Sequence, residues 1–299
     1  MNRPREALSL TFTGADGNQL VADQYGAAGT PVLLLHGGGQ TRHAWQSTAA
    51  QIARAGHVAV AMDQRGHGDS AWVETGAYRF DDFAADATKV ADDLAKRHGD
   101  RPVAIGASLG GIAILLAQGE AARAGREPPF AALVLVDITP RVDPNGLKKI
   151  HDFMRSHAAD GFATVEDAAD AVAQYLPHRP RPRSLDGLKK NLRPTPNGRW
   201  RWHWDPRFLG DRQPGSIGRD ELEARMTEAS RALTCPVLLV RGSASELVQE
   251  EHVREFAALV PQAQYADVAG ARHMVAGDRN DAFSTTILSF LASLDQSRA

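Results

Sequence analysis

The chain has 299 residues, 43% of them hydrophobic, enough to bury a large core as one elaborated domain or as a domain carrying an insertion. Its 34 Lys and Arg stand against 36 Asp and Glu, and a net charge of -2 supplies no global field to attract nucleic acid or an anionic membrane. The single cysteine, Cys235, excludes an internal disulfide and reads as a buried strand residue at the head of an apolar run.

The stretch from Met1 to Glu6 is charged, with no apolar h-region, and no long apolar run follows, so the expectation is a soluble cytoplasmic protein. From Leu8 to Tyr25 two alternating segments flank Gly14-Ala15-Asp16-Gly17-Asn18, the turn chemistry of an antiparallel hairpin. Short apolar runs then recur at 31–35, 58–62, 103–105, 132–136 and 236–240, as expected of strands buried on both faces of a parallel sheet. Between and after them, 45–55, 80–97, 109–123, 250–259 and 281–294 carry apolar residues at helical spacing. Alternating strands and helices predict an α/β sheet whose sites form beyond the carboxyl ends of the strands.

The segment between the strand ending at Val136 and the one beginning near Cys235 is too long for an ordinary connection and is expected to be an inserted helical cap. The predicted division is a core of 1–140 and 233–299 with a cap of 141–232, whose helices run over 148–158, 165–176, 185–192 and 220–232. Arg179, Arg181, Arg183, Lys189 and Lys190 read as a solvated cap surface rather than a nucleic-acid patch at this overall charge.

Three motifs carry chemistry. In Gly106-Ala107-Ser108-Leu109-Gly110 a serine follows an apolar strand and opens an apolar helix, the arrangement of a nucleophile on a strained strand-to-helix turn. His36-Gly37-Gly38-Gly39 follows the strand at 32–35, and its glycines allow backbone N–H groups to face the site; Gly38 and Leu109 are the expected oxyanion donors. His273, in Gly270-Ala271-Arg272-His273-Met274 after the last strand, is the best-placed general base. Two carboxylates precede it, Glu246 after the strand at 237–240 and Asp137 at the end of the strand at 132–136. Glu246 is favoured as the acid, with Asp137 as the alternative acid or a second polar group.

With Asp63-Gln64-Arg65-Gly66-His67-Gly68-Asp69-Ser70 and Trp45 added to these motifs, the chain resembles α/β-hydrolase-fold serine hydrolases of the capped esterase and cofactor-free haloperoxidase-like branch. The resemblance spans nearly the whole chain. It implies a mostly parallel, eight-stranded type of sheet flanked by helices, no cofactor, and a structural role for the Asp63 to Ser70 loop, so His67 and Asp69 are not carried over as catalytic. Relatives usually place aspartate where this chain has Glu246, which keeps Asp137 in contention. Epoxide hydrolases and dehalogenases of the same family attack with aspartate at the elbow, and Ser108 argues against both activities.

The function expected is hydrolysis of a small carboxylic ester or lactone through an acyl-enzyme on Ser108. Perhydrolysis, amide hydrolysis and carbon-carbon cleavage use the same machinery, and a non-catalytic small-molecule binder of the same fold is the alternative of another class. His36, Gly37 and Trp204 are candidate substrate contacts. Trp200-Arg201-Trp202-His203-Trp204, with Phe153, Met154, Phe162 and Phe208, reads as cap packing first and pocket second. The histidines show no metal-ligand spacing, so no metal is expected. The expected partner is a small ester-type molecule, with no nucleic acid and no membrane; a homo-oligomer stays open.

Overall fold

The computed structural model of the chain describes residues 7–179, 184–210, 217–278 and 280–296. The charged start at 1–6 and two of the cap arginines, Arg181 and Arg183, lie outside the described residues.

Strand β1 (Leu8–Thr13) and strand β2 (Gln19–Tyr25) form the antiparallel hairpin, closed where Gly14 N–H donates to Asn18 O at 2.7 Å. Strand β3 (Pro31–Leu35), helix α1 (Gln46–Arg54), strand β4 (Val58–Met62), helix α2 (Phe80–His98), strand β5 (Val103–Ala107), helix α3 (Leu109–Arg123) and strand β6 (Ala132–Val136) then alternate. Helices α4 (Pro144–Ser156), α5 (Val165–Tyr175) and α6 (Asp186–Lys189), the short strands β7 (Leu192–Pro194) and β8 (Trp200–Trp202), and helix α7 (Arg219–Arg231) separate β6 from strand β9 (Val237–Gly242). Helix α8 (Glu250–Leu259), strand β10 (Gln264–Val268), and helices α9 (Val275–Asp278) and α10 (Asn280–Gln296) complete the described chain.

The main sheet has eight strands in the order β1-β2-β4-β3-β5-β6-β9-β10, antiparallel at β1–β2 and β2–β4 and parallel from β4 to β10. The uniform apolar runs follow from burial on both faces. Along β3, Leu33 and Leu35 join the core beneath α2, α3 and α7, while Val32 and Leu34 join the opposite core with α1 and α10. From β3 the chain first adds β4 on one side and then β5 on the other. The strand order thus reverses between β3 and β5, and an open parallel sheet has its binding crevice beyond the carboxyl ends of such a pair. The two glycine-rich turns, after β3 and after β5, stand at that crevice.

The segment expected to be a cap over 141–232 divides in space. Helices α4 and α5 and the β7–β8 hairpin share a core of Met154, Phe162, Val165, Ala168, Leu192, Trp202 and Trp204. Helix α7, by contrast, contributes Met226 and Ala229 to the main core. Its close packing depends on Gly119 of α3, where a Cβ would meet Ala229 O at 2.3 Å. The alternating tryptophans form strand β8, paired with β7, and the predicted helix at 185–192 holds only over Asp186–Lys189 before β7 begins at Leu192.

Candidate active site

Ser108 closes β5 and opens α3 with φ 46° and ψ -111°. A non-glycine residue in that region carries strain of about 1–3 kcal/mol and persists only where its surroundings enforce it. Here they do. Ser108 N–H donates to Val136 O at 3.2 Å, and Ile112 N–H donates to Ser108 O at 2.9 Å. The two glycines of the motif are sterically required: a Cβ on Gly106 would lie 2.4 Å from Gly110 O, and one on Gly110 would lie 2.4 Å from Leu35 O. The elbow is therefore wedged directly against the end of β3.

The turn after β3 supplies the next element. Gly37 N–H donates to Gln40 Oε1 at 3.1 Å, and Gly39 N–H donates to His67 Nε2 at 3.1 Å. Between them, the Gly38 N–H has no hydrogen-bond acceptor among the described residues, nor has the N–H of Leu109 at the first position of α3. These are the two donors expected for an oxyanion hole. A Cβ on Gly37 would stand 3.5 Å from Ser108 Cβ, which sets the glycine turn beside the serine.

Two buried histidines brace this turn. His36 is fully buried, accepts Gln64 N–H on Nε2 at 3.1 Å, and places Nδ1 2.8 Å from Gly37 O. His67, equally buried, accepts Gly39 N–H on Nε2 and donates from Nδ1 to Arg65 O at 3.0 Å. Burial disfavours the imidazolium in both, lowering His36 to about 4 and His67 to about 3. The expectation that His36 touches substrate is corrected by this arrangement: both ring nitrogens face the backbone of the loop it supports. The Asp63 to Ser70 segment is structural as anticipated, with Asp63 accepting from Arg42 N at 2.6 Å and Asp69 N at 2.9 Å.

His273 lies between β10 and α9. Its Nδ1 is 2.8 Å from Asp137 Oδ2, and the Asp137 side chain is fully buried. Asp137 follows β6 in a left-handed conformation, φ 50°, with its N–H held by Val240 O at 2.7 Å. Gly242 N–H donates to Asp137 Oδ1 at 3.2 Å, and Ser245 Oγ donates to Oδ2 at 2.6 Å. Gly242 also admits the histidine loop, because a Cβ there would lie 2.4 Å from Arg272 O and 2.6 Å from Ala271 O.

The preference for Glu246 as partner of His273 is corrected by this geometry: the carboxylate on Nδ1 is that of Asp137. Ser245, one residue earlier, is the residue of the β9–α8 loop whose side chain bonds the Asp137 carboxylate. Glu246 turns toward the cap, where its carbonyl abuts α4, so that a Cβ on Gly146 would come within 2.0 Å of Glu246 O. Its charge, after burial, helps to push the Tyr175 hydroxyl of α5 up to about 12. Glu246 Oε2 is buried without a hydrogen-bond partner among the described residues.

Side chains of the 141–232 segment lie against the glycine turn. A Cβ on Gly38 would stand 3.3 Å from the Phe208 ring edge, and one on Gly39 would stand 2.9 Å from Met154 Cε and 3.7 Å from Trp204 Nε1. Trp204 bridges to His67, Gly68 N–H donates to His203 O at 2.7 Å, and Asp205 N–H donates to Gly66 O at 2.8 Å. The Tyr78 hydroxyl fastens the same strip by donating to Asp205 Oδ2 at 2.6 Å. Trp204 itself is buried, 2% exposed, so packing dominates its role; Phe208 and Met154 stand closer to the glycine turn. On the far side, Arg179 Nη2 donates to Met274 O at 3.3 Å, joining the cap to the histidine loop.

Ser245 and Gly242 are the residues whose place at the site sequence reasoning missed, and Phe208, which the sequence reads as packing first and pocket second, stands at the glycine turn. The spacing Gly242-x-x-Ser245 after an apolar strand was the available signal for the first two. Among the described residues no group of His, Cys, Asp and Glu is arranged to hold a metal ion, and no helix is long and apolar enough to cross a membrane.

A family model described as the alpha/beta hydrolase fold matches residues 30–279. The esterase Rv0045c of Mycobacterium tuberculosis is 30% identical over 261 residues, spanning 85% of this chain and 78% of that protein. A non-heme haloperoxidase of Rhodococcus erythropolis is 26% identical over 286 residues, 94% of this chain and 98% of its own. The crystal structure of E-2-(acetamidomethylene)succinate hydrolase superimposes with a TM-score of 0.80 over 96% of this chain and 99% of that one, at 20% identity, a likeness of fold. The chain belongs to the alpha/beta hydrolase fold family.

Proposed function

We propose that the chain hydrolyses a small carboxylic ester or lactone through an acyl-enzyme on Ser108, with His273 as base and Asp137 as its acid partner. The observation that carries this reading is the 2.8 Å contact between His273 Nδ1 and Asp137 Oδ2, at the end of the strand that pairs with the one leading to the strained Ser108. Both oxygens of Asp137 accept hydrogen bonds, so Nδ1 carries the imidazole hydrogen and Nε2 is left to take a proton.

His273 Nε2 removes the Ser108 proton as Oγ attacks the ester carbonyl. The developing oxyanion is met by the N–H groups of Gly38 and Leu109, which have no acceptor of their own among the described residues; Leu109 opens α3, at the positive end of its dipole. His273 then protonates the departing alcohol, and water activated by the same imidazole releases the acid. Among the described residues the Ser108 hydroxyl donates no hydrogen bond, so its alignment with Nε2 belongs to the reacting complex.

Phe208, Met154 and Trp204 give the carbonyl side of the site an apolar wall, which suits a small acyl group better than a charged one. The esterase similarity supports the ester class. The same acyl-enzyme can be intercepted by hydrogen peroxide, a reading that the haloperoxidase similarity favours as a side activity. A single cysteine and the lack of disulfides suit a reducing compartment such as the cytoplasm. Turnover of p-nitrophenyl acetate by the wild type, abolished in Ser108→Ala, is the test; a fully active Ser108→Ala overturns the mechanism, and a wild type inert to esters and to fluorophosphonate favours the binding-protein alternative.

A further inference from the structure

We infer that Ser245 is a positioning residue that fixes the acid: its hydroxyl holds Asp137 Oδ2 in line with His273. The inference rests on the hydrolytic reading above for its consequence in catalysis, but the bonding pattern stands independently of it. A serine hydroxyl has one hydrogen to donate and two lone pairs with which to accept. Both lone pairs are engaged, by Leu247 N–H at 3.0 Å and Val248 N–H at 3.1 Å. The one hydrogen therefore points to Asp137 Oδ2, 2.6 Å away. Ser245 is itself buried, 7% exposed, so no bulk water competes for that bond.

The same Oδ2 atom accepts from His273 Nδ1 at 2.8 Å, while Oδ1 is tied to the backbone of β9 through Gly242 N–H at 3.2 Å. Asp137 hangs from a left-handed backbone, φ 50°, at the end of its strand, and among the described residues Oδ2 accepts from side chains alone. The side-chain hydroxyl supplies that second point of attachment. It also carries the start of α8 with it, since the same oxygen receives two backbone amides of the β9–α8 loop. Without the Ser245 hydrogen, the carboxylate can turn about its own side-chain bonds and leave Nδ1, and the imidazole then loses both its orientation and its assigned hydrogen.

Four single variants, one double variant and one spectrum test this. In p-nitrophenyl acetate hydrolysis, Ser245→Ala is expected to lower kcat by about tenfold or more with KM changed less than about twofold, while Ser245→Thr, which keeps the hydroxyl, retains most of kcat. In a cycle with Asp137→Asn, adding Ser245→Ala is expected to cost less than about twofold further, because a residue that acts through Asp137 has nothing left to position. Full multiplication of the two losses, or Ser245→Ala at wild-type kcat, overturns the assignment. Circular dichroism on each variant separates misfolding from loss of alignment, with Ser245→Thr as the folded reference. If the wild type turns over no ester, the hydrolytic reading fails by itself, and proton NMR still decides the clamp. The low-field Nδ1–H resonance that is lost in His273→Ala is expected to shift or broaden in Ser245→Ala, and an unchanged resonance contradicts the inference.

Discussion

The carboxylate of Asp137 reaches His273 Nδ1 at 2.8 Å from the end of β6, the strand that pairs directly with the one leading to Ser108. Nucleophile and acid thus leave the sheet side by side, and the histidine arrives from beyond two further strands to meet them. Three features permit it: the left-handed backbone at Asp137, the missing side chain at Gly242, and the hydroxyl of Ser245.

Asp137→Asn is expected to lower kcat by roughly a thousandfold or more, as loss of the acid does in serine triads generally. The physical cause is specific. Both oxygen positions of Asp137 face donors, so an amide NH₂ finds no acceptor except His273 Nδ1 in the tautomer that blocks Nε2. Glu246→Gln is expected to leave kcat within about threefold of the wild type. Steady-state kinetics on the two variants checks this, and a larger loss in Glu246→Gln than in Asp137→Asn reverses the assignment.

Gly242→Ala places a Cβ 2.4 Å from Arg272 O and 2.6 Å from Ala271 O, so the backbone that carries His273 must move. A displacement of this size at a base typically costs about a hundredfold in rate. The expected result is a folded protein with kcat reduced by that order and slowed labelling by fluorophosphonate. Wild-type kcat in this variant would show that the loop is not held by that contact.

Folding buries His36 and His67 as neutral rings with pKa values lowered to about 4 and about 3. An unfolded histidine titrates near 6.5, so below that pH the unfolded chain binds protons that the folded chain refuses. Their contribution to stability is complete above about 6.5 and is lost as pH falls toward their folded values, by up to about 1.4 kcal/mol per pH unit for each ring. His43 and His203, also lowered by burial, act in the same sense. Urea unfolding is expected to give a clearly lower free energy at pH 5 than at pH 7, and a smaller difference in His67→Gln, whose amide oxygen can still accept Gly39 N–H. Equal stability at both pH values contradicts the buried neutral pair.

Much of the core was legible because parallel strands buried on both faces leave an unmistakable mark: the apolar runs at β3, β4, β5, β6 and β9 contain few polar residues, and glycine-rich turns follow β3 and β5. Ser108, Gly38, Leu109 and His273 were named from those turns and from chain order. The choice between Asp137 and Glu246 was not legible, because it depends on which strand end the histidine loop approaches. That is fixed by a contact of Gly242 with residues 271 and 272 that no local pattern encodes. His36 misled for a related reason: a histidine between a strand and a glycine turn looks functional in sequence, whereas its burial and its bond to Gln64 N–H appear only in three dimensions. Helix α7 was placed with the cap by chain position alone, and the small residue at 119 that admits it to the main core lies a hundred residues away.

Phe208 sets the wall nearest the glycine turn after β3, its ring edge 3.3 Å from where a Gly38 Cβ would lie. Replacing it with alanine opens room on that side at some cost in packing with His67 and Phe83, whose ring centroids lie 5.0 Å and 5.8 Å from its own. Phe208→Ala is expected to raise the ratio of kcat/KM for p-nitrophenyl butyrate over acetate by about tenfold, the order that one or two methylenes in an apolar pocket can supply. A chain-length panel reads it, and an unchanged ratio removes Phe208 from the acyl pocket.

The most direct measurement of the central claim is the site of covalent capture. Labelling the intact protein with a fluorophosphonate and mapping the adduct by peptide mass spectrometry is expected to place a single modification on Ser108, at a rate sharply reduced in His273→Ala and in Asp137→Asn. An adduct on another residue, or a folded wild type that shows no adduct at all, would contradict the assignment of Ser108 as the nucleophile.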